Sequence, residues 1–284
     1  CQPCSLVWEI IYRGPLAGIK NMKLRDTCIV MMLGLLSGRV FAITQLPLPA
    51  ECFAVDGHVA FVMQPQQPAA GNPWVWYAPT LQNYPHHSQQ YYFEQFLKNG
   101  IAVAGYDLGE VRGAPGSSKK FTGFYEAMIK KGYAEKPVLL GQSRGGLMLL
   151  CWAFRNPDKV GAFVGIYPVC NIASWPMLAS KGTVLADYGM SEEAILEQLS
   201  TFNPAENLDG LAKAGVPMFI IHGDSDRVVP YRDNSALINT AYEKAGGDIE
   251  VKMVPGKGHA EVPDFFRDQD LLKFIFKQSK ETQL

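Results

Sequence analysis

One stretch of this sequence reads Gly141-Gln142-Ser143-Arg144-Gly145, directly after the apolar residues 138–140 and directly before a helical pattern over residues 145–154. A strand that passes into a helix through so tight a turn presents the middle side chain above the sheet, and flanking glycines keep other side chains out of the turn. The N-terminus of the following helix also stabilises negative charge that develops beside it. Ser143 is therefore a candidate nucleophile. The alternative is a glycine-rich turn in which the serine only caps the helix.

Two further polar segments follow later apolar stretches. His222-Gly223-Asp224-Ser225-Asp226 comes after residues 218–221, and Gly258-His259 comes after residues 249–254. If the apolar stretches are parallel strands, their carboxyl ends meet at one edge of the sheet. We therefore expect Ser143, a histidine and an aspartate to lie close together there. A nucleophile, its base and a group that orients the base need this arrangement.

Each of these residues has a predicted role. His259 would be the general base, which takes the proton of Ser143 and later gives it to the leaving group. Asp226 would hold the imidazole in the productive tautomer and stabilise the imidazolium. Asp224 is the other candidate acid, although an aspartate in this position more simply bonds the backbone amides of a turn. His222, at the end of the strand, is interpreted as structural.

The remainder of the chain from residue 51 alternates strand-like and helix-like segments. Continuous apolar strands between helices predict a mostly parallel sheet that is covered on both faces. Asp56-Gly57 predicts a hairpin turn, which adds an antiparallel edge. Residues 171–214 interrupt the alternation and form a candidate cap, with helices expected around residues 191–199 and 205–213.

Taken together, these motifs resemble those of the α/β-hydrolases. The resemblance covers residues 51–280. It rests on residues 141–145, 222–226 and 258–259. It implies the α/β-hydrolase fold with a small cap insertion, and it implies a catalytic triad of Ser143, Asp226 and His259, because the second acid of the 222–226 segment is the usual triad member.

The resemblance also implies an oxyanion hole, for which this chain departs from the common pattern. One donor should be the backbone N–H of Arg144, directly after the nucleophile. Many relatives carry His-Gly in the segment that supplies the second donor, whereas this chain reads Tyr77-Ala78-Pro79-Thr80-Leu81. Pro79 has no N–H, so the second donor falls to Thr80 or Leu81.

Other polar and aromatic side chains surround the predicted site. The string that contains Arg144 is similar to that of glucuronoyl esterases, which implies a carbohydrate ester as substrate; the alternative is a solvated residue at the rim. His86 and His87 precede a helix and are interpreted as capping or solvent-facing residues rather than metal ligands. The cap residues Trp175, Met177 and Tyr188 are expected to pack the insertion, and Glu110 and Arg112 to line the cleft.

Composition excludes several classes of function. The chain has 284 residues, 26 Lys and Arg against 27 Asp and Glu, and a formal net charge of −1. Nucleic-acid binding needs clustered basic residues to contact phosphates, so no nucleic-acid partner is predicted. No G-x-G-x-x-G opens a helix after an early strand, so no dinucleotide cofactor is predicted either. The oligomeric state is left open.

The cysteines do not indicate a metal site. Cys1 and Cys4 form a C-x-x-C pair, but a zinc site needs further ligands and none lies nearby. The cysteines after residue 42 are Cys52, Cys151 and Cys170. We expect all three to be buried small hydrophobic side chains.

The N-terminal residues differ in character from the rest. Residues 22–42 begin with a short basic stretch, continue into an apolar run and end in small residues, which is typical of a secretory signal peptide. The apolar run is too short to span a bilayer. Residues 1–21 precede an internal Met and are interpreted as an upstream extension. The expected hydrolase domain is residues 43–284, secreted or periplasmic, with no membrane anchor.

The sequence thus predicts a secreted serine hydrolase that cleaves carboxylic esters through an acyl-enzyme, with serine peptidase activity as an alternative. The second hypothesis is a non-catalytic binding protein of the same fold, in which the triad is vestigial. The presence of all three triad residues favours the enzyme.

Overall fold

A computed structural model describes residues 46–281 of the chain. The predicted signal peptide at residues 22–42 and the upstream segment at residues 1–21 lie outside the described residues. Within the described range, no helix is both long enough and apolar enough to cross a membrane.

The centre of the described region is a sheet of eight strands. The strands are β1 (Glu51–Val55), β2 (His58–Met63), β3 (Trp74–Ala78), β4 (Ala102–Tyr106), β5 (Val138–Gln142), β6 (Ala162–Ile166), β7 (Met218–Gly223) and β8 (Ile249–Val254). They lie in the order β1-β2-β4-β3-β5-β6-β7-β8. β2 pairs antiparallel with β1 and β4, and every other pairing is parallel. The predicted antiparallel edge and parallel centre are confirmed.

Helices cover both faces of this sheet. They are α1 (His87–Lys98), α2 (Pro115–Lys130), α3 (Arg144–Ala153), α4 (Met177–Tyr188), α5 (Glu192–Glu197), α6 (Leu199–Phe202), α7 (Asp209–Lys213), α8 (Ser235–Lys244), α9 (Pro263–Phe266) and α10 (Gln269–Glu281). One core contains Phe124 of α2, Trp152 of α3 and Ile238 of α8, and the other contains Phe96 of α1 and Ile275 of α10. Strands β3 to β7 are buried along their whole length, which explains why they are continuously apolar in sequence.

The cap differs from its prediction. Residues 171–214 contain four α-helices within the described structure, α4 to α7, rather than two. Helix α4 escaped prediction because it buries little apolar surface: only Met177 and Val184 are buried along it. The cap packs on α3 through a separate cluster that includes Leu147, Cys151 and Ile195.

The C-terminal helix predicted over residues 264–277 is also corrected. Asp268 divides it into α9 and α10, because its Oδ1 accepts hydrogen bonds from the backbone N–H groups of Asp270 and Leu271 at 3.0 and 2.9 Å. An aspartate that binds the N–H groups two and three residues ahead begins a new helix.

The cysteine prediction holds at two positions of three. Cys151 and Cys170 are free and buried. Cys52 is half-buried and disulfide-bonded. It lies on the edge strand β1, which no further strand covers within the described residues, so the expectation of a buried hydrophobic thiol is wrong there.

Candidate active site

The turn between β5 and α3 holds Ser143 in an unusual backbone conformation. Its φ and ψ are 50° and −121°, a positive-φ state that costs energy for a residue with a Cβ. The neighbouring glycines make this turn possible. A Cβ on Gly145 would overlap the backbone carbonyl of Ala78, and a Cβ on Gly141 would lie 2.7 Å from the Cα of Gly146. The strand, the turn and the helix are therefore packed too tightly for larger residues.

Ser143, His259 and Asp226 form a continuous chain of hydrogen bonds. Ser143 Oγ lies 2.9 Å from His259 Nε2. His259 Nδ1 lies 2.7 Å from Asp226 Oδ2. Since an ionised carboxylate only accepts, Nδ1 donates to Asp226 and leaves Nε2 free to accept the serine proton. The three residues follow β5, β8 and β7, whose carboxyl ends meet at one edge of the sheet.

Asp226 is held as a carboxylate by its surroundings. Its Oδ1 accepts the backbone N–H groups of Val228 and Val229, each at 2.9 Å. Burial alone would raise the pKa of the Asp226 carboxyl, but hydrogen bonds from His222, His259 and Val229 outweigh burial and hold that pKa well below its usual range. The side chain has no exposed surface, so the imidazole faces a fixed negative charge.

His222 is a buried neighbour of Asp226. Its Nε2 lies 2.9 Å from the carbonyl oxygen of Val229 and 3.5 Å from Asp226 Oδ2. Because a carbonyl oxygen only accepts, Nε2 carries the proton, and Nδ1 is then the acceptor for the hydroxyl of Ser235 at 2.7 Å. His222 is fully buried and contacts the relay only through Asp226, which fits the structural interpretation from sequence.

Asp224 lies in the turn after β7 and makes no contact with His259. Its Oδ1 accepts the backbone N–H of Gly256 at 2.8 Å and the hydroxyl of Ser225 at 2.9 Å. Its hydrogen bonds thus tie two loops together at an exposed position.

The two candidates for the second oxyanion donor differ in their hydrogen bonding. The N–H of Leu81 donates to the carbonyl of Tyr84 at 3.0 Å and is therefore occupied. Thr80 is buried beside the same turn. Of the two, Thr80 is left as the sequence-derived candidate beside Arg144, which is the first residue of α3 and lies at its positive end.

A cavity of about 240 Å³ opens above Ser143. It is lined by Pro79, Tyr84, Gln142, Ser143, Arg144, Tyr167, Trp175, Val228, His259 and Glu261. The wall is mixed: aromatic rings and Val228 supply apolar surface, while an arginine and a glutamate supply opposite charges. Such a cavity accommodates a small group with both apolar and polar parts.

The side chain of Arg144 contacts two other side chains of the protein. Its Nη1 donates to Glu110 Oε2 at 2.6 Å, and its guanidinium lies 5.3 Å from the centre of the Trp175 ring. The side chain is 39% exposed, so it reaches the cavity while its charge is neutralised by Glu110. Glu110, which was expected to line the cleft, is not among the residues that line this cavity and contacts one of them, Arg144.

The cap contacts the site through a small number of residues. Trp175 lines the cavity, whereas Met177 is buried in the cap cluster. Arg112 pairs with Asp187 at 2.6 Å, and the hydroxyl of Tyr188 donates to the carbonyl of Arg112 at 3.2 Å. These bonds fasten α4 to the loop before α2, and they place Arg112 at the cap junction rather than among the residues that line the cavity.

The cavity residues that were not singled out from the sequence include Tyr84, Gln142 and Glu261. Glu261 accepts hydrogen bonds from the Tyr84 hydroxyl at 2.9 Å and from the Gln142 amide at 3.0 Å. Gln142 stands directly before the nucleophile, and Glu261 stands two positions after His259. Adjacency to those motifs is the only signal in the sequence that could have suggested them, since a lone tyrosine or glutamate in a loop has no characteristic pattern.

The strand order, the antiparallel edge and the strained turn at Ser143 define the chain as an α/β-hydrolase. Within this class, the chain belongs to the prolyl oligopeptidase family (Peptidase_S9), whose family model matches residues 114–282. The motifs in the sequence pointed to the superfamily and did not distinguish this family within it. A search of curated proteins gives no match.

Solved structures share the fold at low sequence identity. Dipeptidyl peptidase 4 of Porphyromonas gingivalis is 17% identical, with a TM-score of 0.63 over 81% of this chain and 35% of its own. A puromycin-hydrolyzing peptidase of Mycobacterium tuberculosis is 16% identical, with a TM-score of 0.59 over 82% of this chain and 39% of its own. Est1E from Butyrivibrio proteoclasticus is 18% identical, with a TM-score of 0.60 over 81% of this chain and 98% of its own. The chain thus spans little more than a third of the two peptidases but nearly all of Est1E.

Proposed function

We propose that this protein is a serine hydrolase that cleaves carboxylic esters through an acyl-enzyme on Ser143. The observation that carries the proposal is the relay of 2.9 Å from Ser143 Oγ to His259 Nε2 and 2.7 Å from His259 Nδ1 to Asp226. A binding protein with a vestigial site would have no need of this alignment, or of the strained backbone at Ser143.

The chemistry follows from the direction of these hydrogen bonds. Ser143 Oγ attacks the substrate carbonyl carbon while His259 Nε2 takes the hydroxyl proton. Asp226 stabilises the resulting imidazolium, which then gives the proton to the leaving alcohol. Water attacks the acyl-enzyme in the second half while His259 takes a proton from it. The bond between the acyl carbon and Ser143 Oγ then breaks, His259 returns the proton to Oγ, and the carboxylic acid is released.

The tetrahedral intermediates carry a negative oxygen that needs donors. We assign one donor to the backbone N–H of Arg144 and the other to that of Thr80, since the N–H of Leu81 already bonds Tyr84. Donors fixed by a helix end and a packed turn need little rearrangement when charge develops, and each contributes about 3 kcal/mol to transition-state stabilisation.

A peptide substrate is the second candidate, and membership of the prolyl oligopeptidase family favours it. The cavity supports the ester instead. Its volume of about 240 Å³ and its walls at Trp175 and Val228 suit one compact acyl or alcohol group better than several residues of extended peptide. Hydroxyl-rich carbohydrate esters belong to the proposed class. Acidic sugars are less suited, because Glu110 already neutralises Arg144.

Matched substrates test the choice between ester and peptide. The purified protein should hydrolyse p-nitrophenyl butanoate and acetylated sugars, and should be at least about a hundredfold slower on the p-nitroanilides of alanine and proline. Ser143→Ala, prepared in parallel, reports any contaminating hydrolase. Faster turnover of the anilides than of the esters would favour the peptidase.

We further propose that the protein is exported, on the composition of residues 22–42 alone. Mass spectrometry of the N-terminus of the protein from its native host should find a chain that begins near Ile43. A cytoplasmic protein that retains residues 22–42 would contradict export without affecting the proposed reaction.

A further inference from the structure

The cavity above Ser143 contains a carboxylate that the relay does not use. Glu261 lines the cavity beside Ser143 and His259, and its side chain is 24% exposed. Three groups donate to it: the Tyr84 hydroxyl and the Gln142 amide bond its Oε1, and His86 Nε2 lies 3.1 Å from its Oε2. These contacts fix the carboxylate in place at the wall of the site.

All three donors leave the negative charge of Glu261 in place. Tyr84 and Gln142 are neutral. Burial, with the hydrogen bond to Glu261 as a second cause, raises the pKa of Tyr84 to about 12, so its hydroxyl keeps its proton. His86 Nδ1 accepts the backbone N–H of Ser88 at 3.2 Å, so this nitrogen carries no proton and the ring is neutral with its hydrogen on Nε2.

Among the described residues that line the cavity, Arg144 is the one lysine or arginine, and it is already paired. Arg144 donates to Glu110 at 2.6 Å, and among the described residues Glu261 has no ion pair with a lysine or an arginine. The buried carboxylate of Asp226 lies behind His259 and adds to the negative charge near the site. A carboxylate in a partly desolvated cavity attracts positive charge more strongly than it would in water.

We infer that Glu261 selects substrates that carry a cationic group, such as an ammonium, close to the scissile bond. This inference rests on the proposed function and deepens it by naming a substrate class. The carboxylate can accept a further hydrogen bond on Oε2, since two oxygens accept about four hydrogen bonds and three donors are in place. The alternative is a positioning role, in which Glu261 only holds Gln142 and Tyr84.

Pairs of esters that differ in charge and little in shape test the inference. On the acyl side, p-nitrophenyl 6-aminohexanoate is compared with p-nitrophenyl heptanoate. On the alcohol side, 2-(trimethylammonio)ethyl butanoate is compared with 3,3-dimethylbutyl butanoate by proton release. The wild-type protein should give a kcat/KM about tenfold to a hundredfold higher for the cation in at least one pair, because a charged contact is lost in the neutral ester. No preference in either pair would overturn the inference.

The variant Glu261→Gln removes the charge and keeps the shape of the side chain. It should abolish the preference, so that the ratio of kcat/KM for the cationic ester to kcat/KM for its neutral partner falls to about one. Glu243→Gln is the matched control, since Glu243 is exposed near the end of α8 and gives the same change in net charge. It should keep the preference. An equal loss for both members of a pair in Glu261→Gln would show a positioning role and overturn the inference.

Failure of the inference is distinguishable from failure of the proposed function. A neutral fluorophosphonate should label the wild-type protein and should not label Ser143→Ala if Ser143 is the nucleophile. Normal labelling without a charge preference rejects Glu261 as a selector and leaves the serine hydrolase in place. If Glu261→Gln does not fold, the comparison of the ester pairs on wild type still decides the matter.

Discussion

At the scale of single residues, the proposed mechanism depends on Asp226, which orients the proposed base His259. Its Oδ2 accepts the His259 Nδ1 proton, and its Oδ1 is held by two backbone N–H groups. Asp226→Asn replaces an acceptor with a group that can donate to Nδ1, which favours the wrong imidazole tautomer. We expect kcat, measured by ester turnover, to fall by about 10³-fold to 10⁴-fold in a variant that still folds, as measured by circular dichroism.

Asp224→Asn provides the matched comparison, since it makes the same chemical change two residues away. Asp224 bonds Gly256 and Ser225 but not His259, so the variant should keep kcat within about threefold and lose about 1 kcal/mol of stability. A dead but stable Asp224→Asn, beside an active Asp226→Asn, would show that the acid has been assigned to the wrong residue.

Asp226 also predicts how stability depends on pH. Its folded-state pKa is depressed, so its contribution to stability is complete above the unfolded carboxyl pKa of about 4 and is lost as the pH falls toward the folded value. The melting temperature of wild type should exceed that of Asp226→Asn at pH 7, and the gap should narrow between pH 5 and pH 3. Thermal melts across this range measure the gap, and a gap that widens as the pH falls would contradict the assigned shift.

The sequence indicated the positions of Ser143, Asp226 and His259 because each follows an apolar strand in a short motif. It did not indicate Glu261 or the Glu110 partner of Arg144. Those contacts depend on side chains from separate loops, which only the folded chain brings together. The composition of the chain likewise did not indicate that Cys52 forms a disulfide.

At the scale of elements, the site depends on how closely α3 approaches β3. A Cβ on Gly145 would meet the carbonyl of Ala78 and the nitrogen of Pro79, which are backbone atoms and cannot rotate away. Gly145→Ala must therefore shift the start of α3 or the segment after β3, where both proposed oxyanion donors lie. We expect kcat to fall by about a hundredfold, measured with a p-nitrophenyl ester.

Gly182→Ala is the control for this prediction. Gly182 is exposed within α4, and a Cβ there would have no heavy atom within 4 Å. Alanine stabilises a helix relative to glycine by up to about 1 kcal/mol. This variant should therefore melt at the same temperature as the wild type or slightly higher, and it should keep its activity. Full activity in Gly145→Ala would mean that the close approach does not govern the oxyanion site.

Elements with strong burial were predictable, and those with weak burial were not. The strands from β3 to β7 are wholly buried, so their apolar runs gave their positions. Helix α4 buries two side chains in twelve residues and therefore lacks a clear helical period. The boundary at Asp268 depends on a side chain that caps α10, which a periodic pattern does not show.

At the scale of the whole molecule, eight strands and their covering helices bring residues more than a hundred positions apart to one edge of the sheet. Ser143 and His259 are 116 positions apart and 2.9 Å apart in space. The fold class was predictable because alternating strands and helices allow few arrangements. The family within that class was not, since its model matches a long segment at residues 114–282 rather than one short motif.

The central claim is that Ser143 is the nucleophile. The most direct measurement is the intact mass of the protein after reaction with a fluorophosphonate, followed by peptide mapping. Wild type should gain one adduct, on Ser143. Ser143→Ala should gain none, melt at nearly the same temperature and lose at least about a hundredfold in ester turnover. An adduct on another residue, or a Ser143→Ala variant that keeps more than about a hundredth of the turnover, would contradict the claim.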